Sequence, residues 1–271
     1  MFRVALAALF SVTLSTGTAL AAEVNVSGST SVGRVMDVLA ESYNAEHPDS
    51  FIAVQSIGST AGLTLVDKGV VEIGMSSRYL TEREQNETLT VAPIAFDGLA
   101  VVVNNANNVA DISRDQLYKI YKGEVTNWKE LGGADQEIAV VTREVSSGSR
   151  FSFESMLGLT KVVNERLVSD ISTRNIVVNS NSMVKTLVNH NKQAIGFISK
   201  GSVDKSIRAL TFEGTKATSE NIASGKYSLY RPFLMVYKQE KVSDDALSFL
   251  NYLKSDEAKN LIKEYGYTPV K

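Results

Sequence analysis

Between Arg143 and Ser149 the chain reads Arg-Glu-Val-Ser-Ser-Gly-Ser, a guanidinium followed at once by a small hydroxyl-rich turn. The turn opens into Arg150-Phe-Ser-Phe-Glu-Ser-Met-Leu157, which has the pattern of a helix. The first N–H groups of a helix have no intrahelical acceptor, and the aligned peptide dipoles put partial positive charge at the same end. Hydroxyls and a guanidinium added there make a concave set of donors that suits a tetrahedral oxyanion. Two more hydroxyl turns, Ser27-Gly-Ser-Thr-Ser31 and Gly58-Ser-Thr60, also precede helical patterns, and Gly74-Met-Ser-Ser-Arg78 ends a short strand in the same chemistry. The candidate anion ligands therefore lie in four turns, 28–31, 58–60, 76–78 and 143–149. One such turn is ordinarily a helix cap and nothing more. Four of them, one beside Arg143, point to a ligand.

The other polar candidates carry bland alternatives. Asp97 sits in an otherwise apolar strand, a costly place unless it is paired with a nearby arginine or has a function. Arg78 reads equally as a surface or lobe-bridging ion pair and as a direct ligand. Arg150, one turn into its helix, reads as solvated or structural. His47 and His190 are far apart with no companions at ligand spacing, so both are expected at the surface and no metal is expected. Trp128, with Tyr118 and Tyr121, reads as packing. The chain has no cysteine, which excludes disulfides, thiolate catalysis and cysteine-bound metal. Hydrolysis would need a nucleophile with its base or a metal cluster, and neither is visible, so the chain reads as a non-enzyme without a cofactor. A formal net charge of −2 argues against nucleic acid as a partner. An acidic protein that holds an anion must use local, preorganised donors, because its overall field repels the ligand.

The elements that must position these groups alternate between strand and helix. Val24 and Val26 alternate with polar residues; Val32, Val35, Met36, Leu39 and Tyr43 then recur at helical spacing. Residues 51–57, 71–75, 138–142, 175–178, 194–198 and 209–212 read as strands, and 61–68, 114–121, about 149 onward and 182–188 as helices. Ser243 reads as the N-cap of a further helix carrying Ala246, Phe249, Leu250 and Leu253 on one face. Such alternation predicts an α/β fold with mainly parallel sheets. Two longer apolar strands, 91–104 (broken at Asp97-Gly98) and 230–237, are candidates for crossings between two lobes. Lobe one would then be residues 22–100 plus 231–271, and lobe two residues 101–230, with a ligand cleft between them. At the start, Met-Phe-Arg3, the apolar run Val4–Val12 and small residues to Ala21 have the layout of a cleavable signal peptide over 1–21, cut after Ala21 or Ala22. With no cysteine for a lipid anchor, a free periplasmic protein is expected.

On these motifs the chain resembles the periplasmic phosphate-binding receptors of high-affinity phosphate ABC transporters. The match is carried by Ser27–Ser31, Gly58–Thr60, Ile73-Gly-Met-Ser-Ser-Arg78, Ile120-Tyr-Lys-Gly-Glu-Val-Thr-Asn-Trp128, Arg143 with Ser147-Gly-Ser149, and Gly266-Tyr-Thr-Pro-Val270. The resemblance implies a type II periplasmic binding protein fold, two α/β lobes joined by a two-stranded hinge. It also implies a monomer that captures inorganic phosphate and passes it to a membrane permease. By the same resemblance the ligand contacts map to Ser29, Thr30 and Ser31, to Ser59 and Thr60, and to Arg143, Ser147, Gly148 and Ser149; the turn at 76–78 adds Ser77 and Arg78 to the candidate set. In some members an aspartate at the position of Ser77 accepts the phosphate proton; here that role is expected of Asp97. Receptors for sulfate, molybdate or tungstate, and a secreted phosphoesterase, are the competing readings.

Overall fold

The computed structural model describes residues 22–270, so the leader expected over 1–21 lies outside the described residues. The chain begins β1 (Ala22–Gly28), α1 (Thr30–Glu46), β2 (Ser50–Ser56), α2 (Ser59–Asp67) and β3 (Ile73–Ser76), then enters the long β4 (Leu89–Val103). There follow β5 (Asp111–Ile112), α3 (Arg114–Lys122), β6 (Ala139–Arg143), α4 (Gly148–Leu157), β7 (Thr160–Val163), β8 (Arg166–Ser169) and β9 (Ile176–Val178). After α5 (Asn181–His190) come β10 (Ala194–Ser199), β11 (Arg208–Ala209), β12 (Thr211–Phe212) and α6 (Ser219–Ala223). The chain closes with β13 (Tyr230–Lys238), α7 (Asp244–Tyr252), α8 (Asp256–Glu264) and β14 (Thr268–Pro269).

One mixed sheet runs through the molecule in the order β2-β1-β3-β13-β4-β10-β6-β9. Its flanks are parallel, β1 with β2 and β3 on one side, β6 with β10 and β9 on the other. Its centre is antiparallel, because β13 pairs with both β3 and β4, and β4 pairs with β10. The expectation of mainly parallel sheets thus holds for the flanks and fails at the centre. The reason is topological: β4 and β13 cross between the lobes in opposite directions and lie side by side.

Two hydrophobic cores flank that crossing. The first gathers Val32, Val35, Met36, Leu39 and Tyr43 of α1 against Val24, Val26, Met75 and Phe233, with Phe249 and Ile262 of α7 and α8. It ends on β4 at Ile94 and Ala95; the second begins at Leu99 and includes Tyr121, Trp128, Phe153 and Phe197. Phe153 and Phe197 stack with ring centroids 4.0 Å apart, which fixes α4 against the sheet. Trp128 is buried, its indole N–H donated to the carbonyl of Gln193 at 2.8 Å, in line with the packing role read for it. Among the elements with no counterpart in the sequence reading, two are the most extended. One is the β7–β8 hairpin, which turns through Asn164 and Glu165 at positive φ; the other is α8.

The helix starts are specified locally. Gly28 lies at φ 148°, and a Cβ there would fall 2.2 Å from the carbonyl oxygen of Met75, so only glycine lets β1 pass so close to β3. Ser29 then caps α1 by accepting from the N–H groups of Ser31 and Val32. Ser147 caps α4 through Arg150 N–H, and Ser180 caps α5 through Met183 N–H. Each of these helices follows a strand's carboxyl end, and each points its N-terminus toward the crossing.

Candidate functional site

The hydroxyl turns meet at one enclosed place. Ser29 Oγ donates to Ser77 Oγ at 2.7 Å, and Ser77 N–H donates to Ser59 Oγ at 3.1 Å, which gathers the three lobe-one turns. Across the lobes, Ser31 Oγ lies 3.1 Å from Ser149 Oγ, and Arg143 Nη2 donates to Thr30 Oγ1 at 3.1 Å. Gly148 sits so close to the facing turns that a Cβ would lie 2.3 Å from Ser59 Oγ and 2.6 Å from Ser77 Oγ. Thr60 N–H donates to the carbonyl of Ser146 at 3.2 Å. Ser29, Ser31, Ser59, Ser77, Ser147 and Ser149 are all buried. Ser147 acts here as the cap of α4, and Thr60 lies at the exposed rim.

Charge at this place is balanced. Arg143 is buried and grips Glu144 with both Nε and Nη2, at 2.9 and 3.0 Å. Its Nη1 donates to Asn181 Oδ1 and its Nη2 also to the carbonyl of Asn179. Arg231, buried on β13, donates Nε and Nη2 to Asp97 Oδ2 at 3.2 and 3.0 Å; the two residues are register partners where β13 and β4 cross. Its remaining nitrogen, Nη1, reaches Ser149 Oγ at 2.7 Å and the carbonyl of Ser77 at 3.2 Å. With each guanidinium neutralised by its own carboxylate, what this place offers an anion is oriented dipoles and short hydrogen bonds rather than net charge.

Three expected residues need comment. Asp97 has both oxygens spent: Oδ1 accepts from Ser199 Oγ at 3.0 Å and Lys200 N–H at 3.1 Å, and Oδ2 accepts twice from Arg231. A carboxylate so engaged has no acceptor left for a ligand proton, so Asp97 is the counter-ion of Arg231 and not the proton acceptor expected of it. Burial pushes its carboxyl above the usual range, against the opposing pull of Arg231, Ser199 and the Lys200 N–H. Arg78 chelates Glu84 at 2.6 and 2.7 Å, stacks over Phe151 and touches Thr60 Oγ1. The geometry gives an ion pair within lobe one rather than one bridging the lobes, and Arg78 stands behind Thr60, outside the hydroxyl cluster. Arg150 ties Glu154, Ser169 and the carbonyl of Arg143 together, a structural clamp at the root of α4.

Two residues in the cluster escaped the sequence reading. Asn181 Nδ2 donates to Ser31 Oγ at 2.9 Å while its Oδ1 accepts from Arg143 and, at 3.4 Å, from Ser199 N–H. Its signal was present: Asn-Ser-Asn-Ser over 179–182 is one more hydroxyl junction between a strand and a helix. Arg231 could have been found as the charge at the start of one crossing strand, set against the lone charge of the other. His47 and His190 are exposed, and among the described residues no group of His, Asp and Glu could hold a metal.

Two α/β lobes on a pair of crossing strands, with helix N-termini and hydroxyls facing one enclosed point, define the class of type II periplasmic binding proteins. Residues 14–257 match the PBP superfamily domain. Over 249 residues, 90% of this chain and 80% of the relative, the sequence is 34% identical to the phosphate-binding protein PstS of Bacillus subtilis. An ABC-type phosphate transport receptor from Vibrio cholerae is 58% identical with a TM-score of 0.78, covering 90% of this chain and 99% of that one. A putative phosphate ABC transporter substrate-binding protein from Clostridium perfringens, solved with bound phosphate, is 38% identical with a TM-score of 0.86, covering 92% and 100%. The chain belongs to the PstS-type phosphate-binding proteins, a family of receptors rather than enzymes.

Proposed function

We propose that this protein captures inorganic phosphate between its lobes outside the cytoplasmic membrane and delivers it to the permease of an ABC transporter. The observation that carries the reading is the meeting of Ser29, Ser59 and Ser77 from one lobe with Arg143, Gly148 and Ser149 from the other. Ligand contacts shared between lobes stabilise the closed arrangement over the open one, and closure expels water, which strengthens every donor. The lobe boundaries, 22–100 with 231–271 and 101–230, draw support from the change of core between Ala95 and Leu99. A signal peptide over 1–21 and a monomeric state complete the proposal. Receptors for sulfate, molybdate or tungstate are not favoured, since the relatives are phosphate receptors by name.

Titration calorimetry of purified protein freed of carried phosphate tests this directly, with wild type binding phosphate at micromolar Kd or tighter. Arg143→Ala strands Glu144 beside the anion and removes donors desolvated by closure. It is expected to weaken binding by about 3 kcal/mol, roughly a hundredfold. Equal affinities, or no phosphate binding by wild type, would refute the assignment.

A further inference from the structure

Arg78, Arg143, Arg150 and Arg231 each hold a carboxylate. Beside the crossing of β4 and β13, three other cations do not. Lys200, Arg208 and Lys216 line one cleft of about 620 Å3, and among the described residues none of the three makes a salt bridge. Acids close by in sequence are spent elsewhere. Asp204 takes Lys185 and Ser206, Glu213 accepts from Arg114 N–H, and Asp111 serves Thr211 Oγ1 and Gly214 N–H. Lys200 Nζ donates to two neutral acceptors, Ser219 Oγ at 2.9 Å and the Gly266 carbonyl at 2.8 Å. It is half-buried, and desolvation pushes it below the ordinary lysine range against the more distant pull of Asp97 and Glu220. Arg208 likewise spends Nη2 on neutral acceptors, the carbonyls of Asn107 and Val109. The walls are fixed by backbone bonds. β11 lies on β4, with Arg208 opposite Val103 and Ala209 opposite Val102, and the Lys216 carbonyl accepts from Thr218 N–H and Asn221 Nδ2. The floor between the cations is apolar: Ala100 and Leu210 are buried, Val203 and Ala217 half-buried.

We propose that this cleft is a second binding site, for a small organic anion whose acidic head is held by Lys200, Arg208 and Lys216 while its apolar body lies on Val203, Leu210 and Ala217. Cations gathered without a counter-ion in an acidic protein repel one another, and an anionic head relieves that repulsion. The floor selects the rest of the ligand. An inorganic oxyanion would leave the apolar surface wet, whereas a hydrocarbon body covers it and gains from the burial. The volume is of the size that takes an organic ligand. The cleft shares no residue with the hydroxyl cluster between the lobes. Its occupant and phosphate are therefore bound independently, and the inference goes beyond the receptor reading without resting on it.

The test uses anilinonaphthalene sulfonate, an acidic head on an aromatic body, titrated into the whole protein by calorimetry. For a probe of about 20 non-hydrogen atoms at ordinary ligand efficiency, one site is expected with a Kd on the order of tens of micromolar. Lys216→Glu changes an exposed side chain and spares the backbone wall; it should weaken the probe about tenfold or more. Lys254→Glu, the same change of charge on an exposed lysine between α7 and α8, should leave the affinity as in wild type. Thermal melts check that both variants fold. Methanesulfonate, the head without the rings, should not displace the probe at equal concentration, and saturating phosphate should leave it bound. The proposal is overturned by absence of binding at millimolar probe, by equal effects of the two lysine variants, or by full affinity in Lys216→Glu. Displacement by methanesulfonate or by phosphate overturns it as well. None of these outcomes touches phosphate capture, which the phosphate titration of wild type decides separately.

Discussion

At the scale of single residues, the site depends on closeness as much as on charge. Gly148 is placed where any side chain would press into Ser59 and Ser77, two buried hydroxyls already committed to partners. Alanine at this position is sterically allowed by its own helix, since Gly148 opens α4 without a positive φ. The obstruction lies across the cleft. Gly148→Ala is therefore expected to leave the ligand-free melting temperature nearly unchanged and to weaken phosphate at least tenfold, about the value of one misaligned charge-assisted hydrogen bond. Calorimetry beside a thermal melt checks both halves. A variant that binds as wild type would mean the two turns are not held this close when ligand is bound.

At the scale of elements, the cleft is braced by ion pairs that never enter it. The segment after β3 is held by Arg78, which chelates Glu84, while Glu84 also accepts from the N–H and hydroxyl of Thr81. Burial alone would raise the Glu84 pKa, but these donors outweigh it and hold the carboxyl below its ordinary range. A carboxyl with a depressed folded pKa contributes stability above its unfolded pKa and loses it as pH falls through the folded value. The difference in melting temperature between wild type and Glu84→Gln is thus expected to be greatest near neutral pH. It should vanish in acid, where both side chains are uncharged. A difference that persists undiminished at acid pH would show that the carboxylate charge is not what braces the segment.

At the scale of the whole molecule, the two cores are separate, and the halves meet through β4, β13, the polar cluster and the C-terminal segment, where Lys200 Nζ donates to the Gly266 carbonyl. Binding that requires both lobes adds its free energy to the folded closed state, whereas the unfolded chain has no site. At phosphate a thousandfold above Kd the added stability is about 4 kcal/mol. For a chain of this length that corresponds to a rise of roughly 10 °C in melting temperature. In Arg143→Ala at the same concentration, about tenfold above its weakened Kd, the rise should fall to roughly a third. An equal rise in that variant would place the stabilising anion somewhere other than between the lobes.

Much of this was legible in the residues because the signals are local. Serine caps, the hydroxyl turns ahead of α1, α2 and α4, and Arg143 beside its glycine turn are set by a few neighbouring positions. So are the periodic faces of α1 and α7. They determined the α/β class, the anion chemistry and most of the side chains that meet in the candidate site. The long apolar strands also marked where the chain crosses between lobes. Direction and partnership were not legible. The antiparallel centre of the sheet follows from laying β4 beside β13, segments more than a hundred residues apart in sequence. The fate of Asp97 was settled by Arg231 and Ser199, and the partners of Ser31 and Ser149 by Asn181 and Arg231. A side chain's type announces what it can donate or accept, but which of those capacities remains free depends on neighbours that only the folded chain brings within hydrogen-bond reach.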